Sequence, residues 1–235
     1  MDASSIGILG IAGFLILIAL RCPIAISMAI VGLFGSTVLN GWSATIYVFG
    51  SVPFESIFPY SLSVVPLFVI MGSLALRTGM SQSLYNAGEA LFGHWRGGLS
   101  IGTIVACAGF GAICGSSLAT AATMSRISIP EMQRRGYADG FSAATVAAGG
   151  TLGVLIPPSI ILVIYGILTE QSIGRLFVAS LIPGLLATLL YGIAVFVTAR
   201  MKQELCPATA VAPTSHRLKQ LSGAWPVLAL FVVVL

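Results

Sequence analysis

Two apolar stretches of this chain carry helix-breaking residues at their centres: Gly109-Phe110-Gly111-Ala112-Ile113-Cys114-Gly115-Ser116-Ser117, and Gly149-Gly150-Thr151-Leu152-Gly153-Val154-Leu155-Ile156-Pro157-Pro158-Ser159. In hydrocarbon every backbone N–H and C=O needs a partner, so a break at membrane depth survives only where protein or a polar cavity surrounds it. Loosened backbone of this kind is where membrane transporters bind ions and substrates. The two breaks therefore limit the chain to a small set of folds and point to transport.

Composition supports the membrane setting. Of 235 residues, 57% are hydrophobic and 8% charged, whereas a soluble domain carries roughly 25% charged residues. The formal charge of +4 does not mark a nucleic-acid binder, because the basic residues stand singly between apolar runs and form no stripe with interleaved aromatics. The first apolar run follows Met1-Asp2 without a basic region, and Arg21-Cys22-Pro23 lies where a small-residue cleavage site would be wanted, so no cleaved signal peptide is expected. Cys22, Cys107, Cys114 and Cys206 show no CxxC spacing, and His94 and His216 are far apart. No metal centre or organic cofactor is expected from them.

Residues 6 to 39 are apolar except at Arg21-Cys22-Pro23. One continuous helix would measure about 51 Å at ~1.5 Å per residue, too long for a core of about 30 Å, so two helices joined near Arg21 are expected. Residues 42 to 60 suggest an interfacial helix or irregular connection, and 62 to 76 a further span ended by Arg77-Thr78-Gly79. Together residues 1–80 form an N-terminal group of transmembrane helices. Residues 81–96 place Leu84, Ala87, Leu91 and Trp95 at helical spacing opposite polar residues, the pattern of an amphipathic helix lying along the interface. Residues 97–129 and 138–168 hold the two breaks, 173–199 give one more span, and a polar loop follows over 200–222. The apolar stretch 223–235 begins another helix and stops at about two-thirds of the length a span needs, so the chain is expected to continue.

With the N-terminus outside, Arg21, Arg77, Arg96, Arg126, Arg134, Arg135, Arg200, Lys202, Arg217 and Lys219 are cytoplasmic and only Arg175 is external. Arg96 then precedes residues 97–129 on the same side as Arg126, Arg134 and Arg135, so this segment cannot cross once. It is also too short to cross twice as full helices. A re-entrant hairpin turning at Gly115-Ser116-Ser117 satisfies both conditions.

Ser116 and Ser117 are placed to cap the returning half-helix that starts near Leu118, whose positive dipole end favours a carboxylate. Thr120 lies one turn further in. In the second break, Gly149, Gly150 and Gly153 are expected to loosen the helix, while Pro157 and Pro158 remove two N–H donors and leave carbonyls unpaired. Those carbonyls, with the Thr151 and Ser159 hydroxyls, make an all-oxygen site for a hard monovalent cation. The plainer alternative is that glycines and serines let helices pack closely and the proline pair is a kink. No Asp, Glu, Lys, Arg or His lies well inside any span, which favours sodium coupling over a proton relay. No catalytic residue is expected, since Ser116 and Ser117 have no base nearby in sequence.

The run Gly115 to Met124, the loop Ile129-Pro130-Glu131-Met132 with Arg135-Gly136-Tyr137, and Gly149 to Ser159 together resemble the large membrane subunit of tripartite ATP-independent periplasmic (TRAP) transporters, from near Met1 to Leu235. The resemblance implies an all-α polytopic protein of the bacterial inner membrane with a periplasmic N-terminus. It implies broken transmembrane helices and a re-entrant hairpin, the first of two inverted repeats of an elevator-type transporter. It further implies sodium as the coupling ion and, as partners, a small membrane subunit and a periplasmic solute-binding protein that delivers an organic acid, such as a C4-dicarboxylate or a sialic acid. Carried onto this chain, sodium would be held by Ser116, Ser117, Gly149, Gly150, Gly153 and Pro157, and substrate by Ser116, Thr120, Thr151 and Ser159. The helix at 81–96 resembles the arm that braces the moving domain. A sodium-coupled anion carrier without a binding protein would share the hairpin and broken helix, and a non-transporting scaffold subunit would need the close packing alone.

Overall fold

The computed structural model of this chain describes residues 3–57 and 60–207, with residues 223, 225, 226 and 229. Every regular element among them is helical, and the chain divides into two compact units, Met1–Tyr60 and Ser61–Leu235.

In the first unit, α1 (Ala3–Ala19) and α2 (Ile24–Asn40) form a pair, followed by α3 (Trp42–Ile57). The interruption expected at Arg21 is there. Arg21 takes a left-handed φ of 64°, and the Cys22 N–H reaches back to the Leu17 carbonyl at 3.0 Å, which closes the last turn of α1. Pro23 then enters α2, where its missing N–H costs nothing. The stretch after Asn40 is a regular helix, tied to α2 by Ser36 and Thr45, whose hydroxyls meet at 3.0 Å.

The second unit is built around α6 (Gly98–Cys114), which is buried along nearly its whole length by α4 (Val64–Arg77), α5 (Met80–Phe92), α7 (Ser117–Arg134), α8 (Asp139–Leu155) and α10 (Ile173–Met201). α9 (Ile160–Leu168) continues the path of the chain from α8. Helices α6 and α7 form the hairpin read from the sequence: they turn at Gly115-Ser116, and at the other end the Ser100 hydroxyl donates to the Met132 sulfur at 3.4 Å. The returning helix runs to Arg134, five residues past the expected end at 129, so Arg126 stands on its exposed side rather than beyond it. By length and composition, the broken stretch Asp139–Leu168 and the helix Ile173–Met201 can each cross a membrane, and α4 and α5 form a pair bent by 65°.

The amphipathic stretch 81–96 is helical over Met80–Phe92, and the face it packs on its neighbours is made of small and polar residues. α5 buries Ser81, Tyr85 and Gly88, while Leu91 and Trp95 are each 45% exposed. The reason is backbone contact: a Cβ on Gly88 would stand 2.5 Å from the Gly102 carbonyl oxygen of α6, so the two helices touch through their glycines. Between membrane helices, small residues mark the interface because lipid is as apolar as leucine.

A charged fork braces the same region. Arg135, just past α7, bonds to Glu89 of α5 and donates through Nε to Glu131 at 3.0 Å. Burial disfavours the guanidinium charge, but the two carboxylates outweigh it and hold Arg135 above its usual pKa. The start of the polar 200–222 loop is docked rather than free, since the Ala138 N–H donates to the Leu205 carbonyl at 2.9 Å and Cys206 is fully buried. All of that loop beyond Pro207, with His216, Arg217 and Lys219, and most of the apolar stretch 223–235 lie outside the described residues.

Gly102→Ala is expected to force α5 and α6 apart at a cost of about 1–3 kcal/mol. Gly140→Ala, where the added methyl meets open space, is expected to leave stability unchanged. Thermal unfolding of the two variants in detergent checks this contrast.

Candidate functional site

The two breaks, some forty residues apart in sequence, meet in the fold. α6 ends at Cys114, and Gly115 takes a φ of 61°, where a side chain would be strained and its Cβ would stand 2.8 Å from the Pro158 carbonyl oxygen. The Ile160 N–H, first in α9, points to the Gly115 carbonyl at 3.4 Å. The tip of the hairpin therefore rests directly on the gap between α8 and α9.

Each break has the same local form. Ser116 is extended (φ −135°, ψ 122°) and its hydroxyl accepts from the Ala119 N–H at 3.3 Å. Ser159 is extended (φ −124°, ψ 127°) and accepts from the Leu162 N–H at 3.5 Å. Both are helix N-caps, and the first N–H of α9 is aimed at the carbonyl of Gly115, the residue before the cap of α7. On the other side of each gap are the carbonyl-bearing ends of α6 and α8. Pro157 and Pro158 have no N–H for the Gly153 and Val154 carbonyls, which lose their i+4 donors. No charged residue occurs in 109–125 or 149–168. The meeting point offers amide donors to an anion and carbonyl and hydroxyl oxygens to a cation, without a competing side-chain charge.

Among the residues proposed from sequence, Ser116, Ser159, Gly153 and Pro157 come together here. Ser117 is the first residue of α7, half-buried, with no hydrogen bond from its hydroxyl among the described residues. Next to it, Leu118 is 82% exposed, so the first turn of α7 is open. Thr120 is fully buried: its hydroxyl donates to the Ser116 carbonyl at 2.8 Å and meets the Cys114 sulfur at 3.1 Å, bracing the tip from inside.

Gly149, Gly150 and Gly153 correct the sequence expectation of loosened backbone, because all three are regular α-helix. Their use is close approach. A Cβ on Gly149 would be 2.8 Å from the Cys107 sulfur, on Gly150 2.8 Å from the Ala121 methyl, and on Gly153 2.5 Å from the Thr120 hydroxyl. α8 thus lies in the crook of the hairpin, and the break itself is confined to Ile156–Ser159. Thr151 is on another face, exposed, with its hydroxyl 3.2 Å from that of Tyr191 on α10.

Sequence reasoning missed Gly111, Cys114 and Tyr191. Gly111 touches Gly153, where an added Cβ would stand 2.5 Å from the Gly153 Cα. Cys114 lies against α4, where a Cβ on Gly72 would be 3.0 Å from its Cα. Tyr191 is one of several hydroxyls in the apolar run 173–199, and nothing in the sequence singles it out as the partner of Thr151.

Apolar helices, a hairpin and a broken helix define a polytopic helical membrane protein. The family model described as "Tripartite ATP-independent periplasmic transporter, DctM component" matches residues 11–235, and the chain belongs to that family, as a large permease subunit of the TRAP type. It is 42% identical over 150 residues to the C4-dicarboxylate TRAP transporter large permease protein DctM of Pseudomonas aeruginosa, covering 64% of this chain and 35% of that protein. With the ectoine/5-hydroxyectoine TRAP transporter large permease protein UehC of Ruegeria pomeroyi it shares 32% over 213 residues, 90% of this chain and 49% of the other. With the sialic acid TRAP transporter large permease protein SiaM of Vibrio cholerae it shares 39% over 127 residues, 54% and 30% of the two chains. The matched part thus spans between about a third and a half of these relatives.

Gly153→Ala must displace the Thr120 hydroxyl and the Ser116 carbonyl, and is expected to lower stability by about 1–3 kcal/mol. Ser159→Ala loses only a helix cap, about 1 kcal/mol. Unfolding midpoints should rank in that order below the parent, and a Gly153→Ala protein as stable as the parent would contradict the close approach.

Proposed function

We propose that this chain is the part of a secondary active transporter that builds one half of its ion and substrate path, importing an organic acid across the bacterial inner membrane with sodium as the coupling ion. The observation that carries the proposal is the meeting of two capped helix breaks in a charge-free setting. A hard monovalent cation suits neutral oxygens, here the Ser116 and Ser117 hydroxyls and the carbonyls freed at Gly153 to Pro157. Gly149 and Gly150 serve by letting α8 approach the hairpin closely enough to bring those oxygens together. A carboxylate suits the open first turn of α7 and the adjacent end of α9, with Ser116 and Ser159 as the nearest hydroxyls. Thr120 positions the tip, and Thr151 presents its hydroxyl on the α10 side.

Relatives named for C4-dicarboxylate, ectoine and sialic acid support a shared permease that accepts chemically different cargo. This favours selection by a periplasmic solute-binding protein, with a small membrane subunit completing the assembly. In this account the hairpin and the broken helix move as one body, as in an elevator, because the tip is bonded to the gap it covers. Residues 81–96 form the brace, through Gly88 and the Glu89–Arg135 pair.

The test is uptake of labelled organic acids into proteoliposomes holding the complete large subunit and its small partner, with and without an inward sodium gradient and the binding protein. Uptake that needs both is expected, and Ser116→Ala should raise the sodium concentration for half-maximal uptake by about fivefold or more, the equivalent of ~1 kcal/mol. Uptake with sodium alone would support a carrier without a binding protein. Sodium dependence untouched by Ser116→Ala would remove Ser116 from the ion site.

A further inference from the structure

An apolar groove of about 620 Å³ lies on the outside of the second unit, away from the helix breaks. Its long wall is α10 from Leu185 to Phe196, its floor is Ile101 and Val105 of α6, and Phe92 and Trp95 close one end. That end is aromatic and basic. The Trp95 ring stands 6.2 Å from Phe196, the Arg200 guanidinium lies over Phe196 at 4.9 Å, and the His94 ring is 5.5 Å from Trp95. His94, Arg96 and Arg200 are exposed. Glu89, the one carboxylate of α5, is committed to Arg135, and Glu204 stands exposed in the short turn after α10, four residues past Arg200.

We propose that this groove holds one acyl chain of an anionic phospholipid, whose phosphate is held by Arg96 and Arg200 beside Trp95. Three features favour that occupant. The wall from Leu185 to Phe196 is about 16 Å long at ~1.5 Å per residue, the depth of one leaflet of a hydrocarbon core of about 30 Å. Tryptophan and arginine stand together at only one end, the arrangement expected at the lipid headgroup level. The basic end belongs to the side with nearly all the arginines and lysines, which faces the anionic leaflet. The inference does not depend on the transported substrate or on sodium.

The test uses the complete permease, extracted with a mixture of phosphatidylglycerol and phosphatidylcholine of identical acyl chains and examined by native mass spectrometry. Preferential retention of phosphatidylglycerol is expected. The Arg96→Gln/Arg200→Gln double variant should lower that retention by about twenty-fivefold, roughly fivefold per arginine, while phosphatidylcholine retention stays the same. Equal retention of the two lipids by the parent, or unchanged retention in the variant, would overturn the proposal. A second readout leaves both arginines intact: a fluorophore on Leu189→Cys should be quenched by phosphatidylglycerol carrying a spin label on its acyl chain. Absence of quenching would mean that a protein segment fills the groove, whether from the rest of the subunit or from a partner, and would also overturn it.

Discussion

Every peptide group inside a membrane must find a partner, and this chain interrupts two apolar helical stretches, after Cys114 and after Leu155. The solution is that each break covers the other. Gly115, at the hairpin tip, accepts from the first N–H of α9 and lies against the Pro158 carbonyl. Ser116 and Ser159 each cap the half-helix that follows. Neither gap is satisfied by its own segment alone. The hairpin and the broken helix are therefore coupled by backbone chemistry, and an ion or acid bound between them would act on both.

The coupling requires α8 to lie closer to the hairpin than side chains allow. Gly111, Gly149, Gly150 and Gly153 supply that distance by having no Cβ, and Gly88 with Gly102 does the same between α5 and α6. Where water is absent, helix association rests on dispersion and close backbone approach rather than on burial of leucine. The large apolar side chains of α10, among them Leu185 and Leu189, accordingly face outward, while α6 is buried along nearly its whole length.

Much of this was legible in the chain. Arginine positions required a hairpin, Gly115-Ser116-Ser117 located its turn, and Pro157-Pro158 located the second gap. The function of the α8 glycines was not, because a glycine kept for left-handed backbone and one kept for close approach look alike in sequence. At this site Gly115, with its positive φ, uses the first property, while Gly149, Gly150 and Gly153 use the second. The face of α5 that packs on α6 had no signal either: Tyr85 and Gly88 are covered and Leu91 is not, because in a membrane periodic leucine does not mark the side turned to protein. The pairing of Thr151 with Tyr191 had no local signal at all, since it depends on how α10 lies along α8.

The central claim is that the hairpin tip and the α8–α9 gap form one site that takes sodium. Hydrogen exchange of the complete permease, compared in sodium and in potassium, tests it most directly. Amides at Ser117 to Thr120 and at Ile160 to Val163 should slow together in sodium, with little change along α1 and α2. Slowing in only one of the two segments, or in neither, would contradict the account.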